Sequence, residues 1–142
     1  MLCINHFIGR NILFKTILVD DNSSFRQLVK IHLQGQFPSM DVIEAGDGVE
    51  ALQKIDAHPP NLIFMDIELP GENGLELTKK IKAEYPDTFI IILTNDDLPE
   101  YREAAIRCKA NYFISKLKTN EIFNFVKSLL LEKGFNADGS DN

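Results

Sequence analysis

The chain has 142 residues, enough for one domain with a real core and too few for two ordinary ones. Apolar residues make up 44% and charged residues 25%, the profile of a soluble globular protein. A formal net charge of −6, with no basic stripe to offset it, argues against a nucleic-acid surface on this polypeptide.

The opening stretch, MLCINHFIGRNILFK, is apolar but broken by Asn5, His6, Arg10 and Asn11. It lacks both an unbroken apolar core and a small-residue cleavage site, so neither a signal peptide nor a membrane span is expected. Residues 1–15 read as an N-terminal extension, either an extra strand or a disordered segment. TILVD (residues 16–20) is the first strand, and Asn22 or Ser23 can cap a helix carrying Phe25, Leu28, Val29 and Leu33 at core spacing. DVIEA (41–45) follows as a second strand, and Asp47-Gly48 turns into a helix bearing Val49, Leu52 and Ile55. NLIFMD (61–66) is nearly all apolar, as a strand buried on both faces should be. After LPGENG comes a helix from Leu75 to about Tyr85, stopped by Pro86. FIIILT (89–94) is the fourth strand, Pro99 opens a helix running to Lys109, and NYFISK (111–116) is the fifth strand. A last helix spans roughly Asn120 to Glu132, giving a domain over 16–133 and a polar tail over 134–142.

Five β-α pairs in succession imply an α/β fold, a doubly wound parallel sheet sandwiched between helices. The two cysteines, Cys3 and Cys108, lie in the extension and in a helical segment, so no disulfide and a reducing cytoplasm are expected. His6, His32 and His58 show no ligand spacing.

In such a sheet ligands bind beyond the carboxyl ends of the strands. The first strand delivers Asp20-Asp21 there, the third Asp66, the fourth Thr94 and the fifth Lys116; the second, ending at Glu44, gives no obvious reactive group. Each alone has an ordinary structural explanation: a solvated turn, a cap, a β-former, a surface charge. Their common edge is what points to chemistry. At an effective dielectric near 20, two unit charges about 4 Å apart interact by roughly 4 kcal/mol, so one lysine does not offset three acids. Either an acid is held protonated or a divalent cation binds, and hard oxygen ligands favour Mg²⁺ over zinc. With Mg²⁺, the charges of Asp20, Asp21, Asp66, Lys116 and the metal sum to zero. A phosphoryl dianion can then approach a carboxylate nucleophile, for which the central Asp66 is the best candidate.

These residues resemble the receiver domain of bacterial two-component response regulators, the CheY-like family. The resemblance runs from about Lys15 to Leu131 and rests on ILVDDN, EAGDGVEAL, LIFMDIELPGENGLEL, IIILTN and the lysine closing YFISK. It implies a (βα)5 flavodoxin-like three-layer sandwich with strand order 2-1-3-4-5. It further implies that Asp66 accepts phosphate from a phosphohistidine on a sensor kinase or histidine phosphotransfer protein. Asp21, Asp66 and the main-chain carbonyl of Glu68 would ligate Mg²⁺ or Mn²⁺ directly, with Asp20 acting mainly through a water. Thr94 would bind a phosphoryl oxygen, Lys116 would pair with the phosphoryl charge, and Thr94 and Phe113 would form the switch.

The resemblance implies that the surface that changes is the fourth helix, fifth strand and fifth helix, about Pro99 to Leu131, read by an output protein or a second copy. The last helix carries Ile122, Phe123, Phe125, Val126, Leu129, Leu130 and Leu131, more apolar residues than one buried stripe requires, which predicts a binding face. Departures from the family pattern are Leu117 where proline is common, Asn95 where a small residue is frequent, and Lys109 where glycine is usual. Glu68 and Asp96 stand where the family tunes phosphoryl lifetime. A flavin or nucleotide carrier, a phosphatase working through an aspartyl phosphate, and a pure interaction module remain as alternatives. So do a stand-alone receiver and a fragment of a longer regulator.

Overall fold

A computed structural model describes residues 13–140, so Cys3, His6 and most of the expected extension lie outside the described residues. The order is β1 (Lys15–Val19), α1 (Ser23–Gln36), β2 (Asp41–Ala45), α2 (Gly48–Ala57), β3 (Leu62–Met65), α3 (Gly74–Glu84), β4 (Phe89–Thr94), α4 (Pro99–Arg107), β5 (Tyr112–Ser115) and α5 (Thr119–Glu132). The five strands form one parallel sheet in the order β2-β1-β3-β4-β5, as the resemblance implied. Between β3 and α3, where the sequence reads only as a loop, Glu68–Leu69 and Glu72–Asn73 close a short antiparallel hairpin.

Strand side chains alternate between two cores. Leu18, Phe64, Ile91 and Leu93 point toward α1 and α5, where they meet Val29, Leu33, Ile122 and Val126. Ile17, Ile63, Ile90 and Ile92 point the other way, onto Ala51 and Ile55 of α2, Leu77 and Ile81 of α3, and Ala105 of α4. Asparagine and aspartate side chains start three helices, with Asn22, Asp47 and Asn73 accepting from the main-chain N–H of Phe25, Glu50 and Leu75. Among the described residues no helix is long and apolar enough to cross a membrane.

Three details differ from the sequence reading. Leu28 and Val49, placed on core faces by spacing, are more than half exposed, because Val29 with Leu33 and Ala51 with Ile55 already take the i, i+4 positions that face the sheet. In α5 the apolar surplus is largely spent within the molecule. Ile122, Val126, Leu129 and Leu130 are buried, and Phe125 stacks on Tyr112 (centroids 4.5 Å apart) and packs on Phe89. Finally, the polar segment after α5 folds back. Phe135 meets Phe14 edge to face at 5.4 Å, and Gly139, at φ 89°, sits so close to Met40 and Phe37 that a side chain there would crowd Met40 N at 3.2 Å.

Candidate functional site

Strand register alone brings the sequence-predicted residues together. Val19 pairs with Met65, so Asp20 and Asp66 are the next residues on adjacent strands. Thr94 pairs with Ser115, so Lys116 is the next residue on β5. The main-chain N–H of Asp20 bonds to Ala45 O, that of Asp66 to Val19 O and that of Lys116 to Thr94 O, holding each strand end to its neighbour.

Carboxylate oxygens of Asp20, Asp21 and Asp66 all lie within 4.8 Å of one another. Asp20 and Asp66 are buried, whereas Asp21 is exposed at the mouth. Lys116 sits inside the same cleft with its side chain only 7% exposed, its Nζ 2.6 Å from Asp20 Oδ2 and 3.5 Å from Asp66 Oδ2. Asp20 Oδ1 accepts the Asn22 N–H at 2.9 Å, so both Asp20 oxygens already have partners. Asp66 Oδ1 accepts the Ile67 N–H at 2.9 Å. Burial, followed by the charge of Asp20, pushes the Asp66 carboxyl from 3.8 up to about 6, against the opposing pull of Lys116 and the Ile67 N–H. The cluster is therefore short of positive charge. Three hard oxygen donors in that condition would suit Mg²⁺ or Mn²⁺; Asp66 Oδ2, 3.5 Å from Lys116 Nζ, is less tightly held than Asp20 Oδ2 at 2.6 Å, and Asp21 is exposed.

The remaining expected residues surround this cluster. Thr94 is buried, and its hydroxyl accepts the Asp96 N–H at 3.2 Å. Glu68 is exposed in the hairpin directly after Asp66. Phe113 is half-buried, with the Arg102 guanidinium 4.7 Å from its ring centroid; Arg102 in turn grips Asp97 through both carboxylate oxygens at 2.5 and 2.9 Å. Leu117, beside Lys116, is 86% exposed.

Several residues at the site escaped the sequence reading. Glu44, set aside as unreactive, binds Arg26 Nε at 3.0 Å, and Arg26 also donates to the main-chain carbonyl of Asp20. Gly74 meets the Asp66 carbonyl so closely that a Cβ there would lie 1.8 Å from Asp66 O. Phe25, expected only as a core residue, lies with its ring centroid 4.5 Å from Lys116 Nζ. None of these left a local signal, since each contact forms only once the loops beyond the strand ends have folded around Asp20 and Asp66.

The profile of the response regulator receiver domain family matches residues 16–127, and the chain belongs to that family. It is 39% identical over 109 residues to the oxygen regulatory protein NreC of Staphylococcus carnosus, a match covering 75% of this chain and 50% of that protein. It is 34% identical over 115 residues to the fimbriae Z protein of Salmonella typhimurium, covering 80% of this chain and 55% of that one. The chain thus spans about half the length of these curated relatives. Among solved structures, a CheY-like receiver domain protein from Methanospirillum hungatei superposes with a TM-score of 0.78 at 27% identity, covering 85% of this chain and 96% of that one. Vibrio cholerae chemotaxis protein CheY4 gives 0.73 at 30% identity, covering 84% and 98%. The chain is a two-component response regulator receiver.

Proposed function

We propose that this receiver takes a phosphoryl group onto Asp66 from a phosphohistidine of a sensor kinase or histidine phosphotransfer protein. The observation that carries the reading is the buried Asp66 carboxylate, gathered with Asp20 and Asp21 within 4.8 Å and faced by Lys116 Nζ. An Asp66 oxygen forms the new bond to phosphorus as the bond to the histidine nitrogen breaks, and the imidazole leaves with that electron pair. Asp20, Asp21, Asp66 and the Glu68 main-chain carbonyl would hold Mg²⁺ or Mn²⁺, which supplies positive charge against the phosphoryl oxygens. Asp20 keeps Lys116 in the cleft before transfer, and Lys116 then pairs with the phosphoryl charge. The Thr94 hydroxyl, now bonded to the Asp96 N–H, turns to a phosphoryl oxygen, drawing on the β4–α4 loop. Phe113, under Arg102, follows as the second switch residue.

The α4–β5–α5 face is then what an output protein or a second copy reads. In this reading the domain works in the cytoplasm and is not an enzyme acting on other substrates; it catalyses its own phosphorylation and dephosphorylation.

Incubation with Mg²⁺ and acetyl phosphate, followed by intact mass, tests the proposal. One phosphate-sized gain is expected, abolished by Asp66→Asn and by chelator. A gain that survives Asp66→Asn sinks it.

A further inference from the structure

The Lys116 ammonium is buried, and a buried charge is held in place only by what surrounds it. Two carboxylates supply acceptors at 2.6 and 3.5 Å. On another side stands the ring of Phe25, its centroid 4.5 Å from Nζ, well within the distance at which an aromatic face attracts a cation. Phe25 is fixed there by the start of α1, where its own N–H bonds to the cap oxygen of Asn22 at 3.0 Å. The ring is also packed against the core residues between α1 and the sheet, so it has a defined seat.

We infer that Phe25 is a positioning residue for phosphoryl transfer, holding the Lys116 ammonium in the cleft by a cation–π contact. The inference rests on the role proposed above for Lys116. Its physical logic lies in what each partner allows. A carboxylate such as Asp20 binds an ammonium in one direction and competes with an arriving phosphoryl group for it. An aromatic face attracts without a directional bond, so the ammonium can slide from Asp20 toward a phosphoryl oxygen while one side of it stays covered from water. The lysine thus keeps a short path between its two anionic partners. The sequence offers no hint of this, because Phe25 sits at a position where any apolar residue would satisfy the core spacing.

Progressive fluorination of the Phe25 ring keeps its shape and drains the negative charge from its face. Across that series the rate of phosphoryl uptake from acetyl phosphate should fall stepwise, by about tenfold in all. Phe25→Tyr should keep the wild-type rate, and Phe25→Leu should match the most fluorinated ring. In metal-free protein, the Lys116 side-chain NMR signals should carry a ring-current shift that Phe25→Leu removes. Uptake that is insensitive to fluorination but slowed by Phe25→Leu means plain packing and overturns the inference alone. Lys116→Met that takes up phosphate at the wild-type rate overturns the reading of the site, and this inference with it.

Discussion

The two loops that flank the carboxylate cluster are built on opposite plans. Between β3 and α3 the chain closes a hairpin, Gly74 N–H bonds Ile67 O at 2.7 Å, and the Gly74 Cα packs against the Asp66 carbonyl. The helix that follows has an Asn73 side-chain cap and buries Gly74, Leu77, Thr78 and Ile81. Between β4 and α4, residues 95–98 are exposed and are tied by the Asp96 N–H to Thr94 Oγ1 and the Leu98 N–H to Asp96 O. The helix after that loop has no side-chain cap and buries only Ala105. The Asp66 side is closely packed, whereas the other is exposed and, apart from the surface Arg102–Asp97 pair, has few ties; on the proposed function, the first holds the acceptor and the second moves. This is the division a phosphorylation switch needs, since a local change is transmitted only through an element with two accessible arrangements.

The contrast breaks most visibly at Gly74. A Cβ there would lie 1.8 Å from Asp66 O and 2.8 Å from Asp66 C, both backbone atoms with no rotamer to swing aside. Gly74→Ala is expected to destabilise the fold beyond the ~1–3 kcal/mol usual for overpacking, and to abolish phosphoryl uptake. Urea denaturation and intact mass check the two effects separately. Near-wild-type stability would show that the acceptor loop yields as readily as its neighbour.

A smaller effect tests how firmly the rigid side confines Asp66. Its carboxyl keeps a proton up to about pH 6 in the folded, metal-free protein, whereas its ordinary value is 3.8. Its contribution to stability is therefore fully present below 3.8 and is lost as the pH rises through 6, where the buried group must ionise. The shift corresponds to about 3 kcal/mol. With chelator present, the stability of wild type relative to Asp66→Asn should fall by about that amount between pH 4 and 7, and millimolar Mg²⁺ should flatten the curve. A difference that stays level without metal would mean that Asp66 is not confined as described.

How much of this contrast the sequence carries depends on the range of the interactions. The strands were legible because runs such as FIIILT are local, and the convergence of Asp20, Asp66, Thr94 and Lys116 followed from parallel strands ending on one edge. The helix starts after Asn22 or Ser23 and at the Asp47-Gly48 turn were legible for the same local reason; that Asn22 and Asp47 are the caps is seen in the structure. The close approach of Gly74 to Asp66 was not, for glycine in LPGENG looks like any turn glycine until the hairpin is folded. Nor was the docking of Phe135 and Gly139, which depends on Phe14, Phe37 and Met40 lying beneath the tail. Helix faces fell between: spacing found Val29 and Leu33 but could not choose between Leu28 and Val29 for the core, a choice made by the sheet.

The smallest change acts on the loose side. Leu98 is the N-cap of α4, extended at φ −99° and ψ 141°, and is 41% exposed; its carbonyl accepts the Tyr101 and Arg102 N–H groups, but its side chain lends the helix start neither a hydrogen bond nor much burial. Serine fits that backbone and can accept an N–H of the first turn, while Pro99 remains as the first helical residue. Leu98→Ser should therefore stabilise the domain by about 1 kcal/mol, less the small burial that leucine gives up. The more telling readout is local. In the wild type, amides of α4 should exchange faster than those of α5, which buries Ile122, Val126, Leu129 and Leu130, and should slow or quicken on phosphorylation. With serine at 98 the α4 amides should start out more protected, and the phosphorylation-dependent change should shrink while phosphoryl uptake stays as it was. A full-sized response from the capped helix would mean that the weak anchoring of α4 is not what lets this face switch.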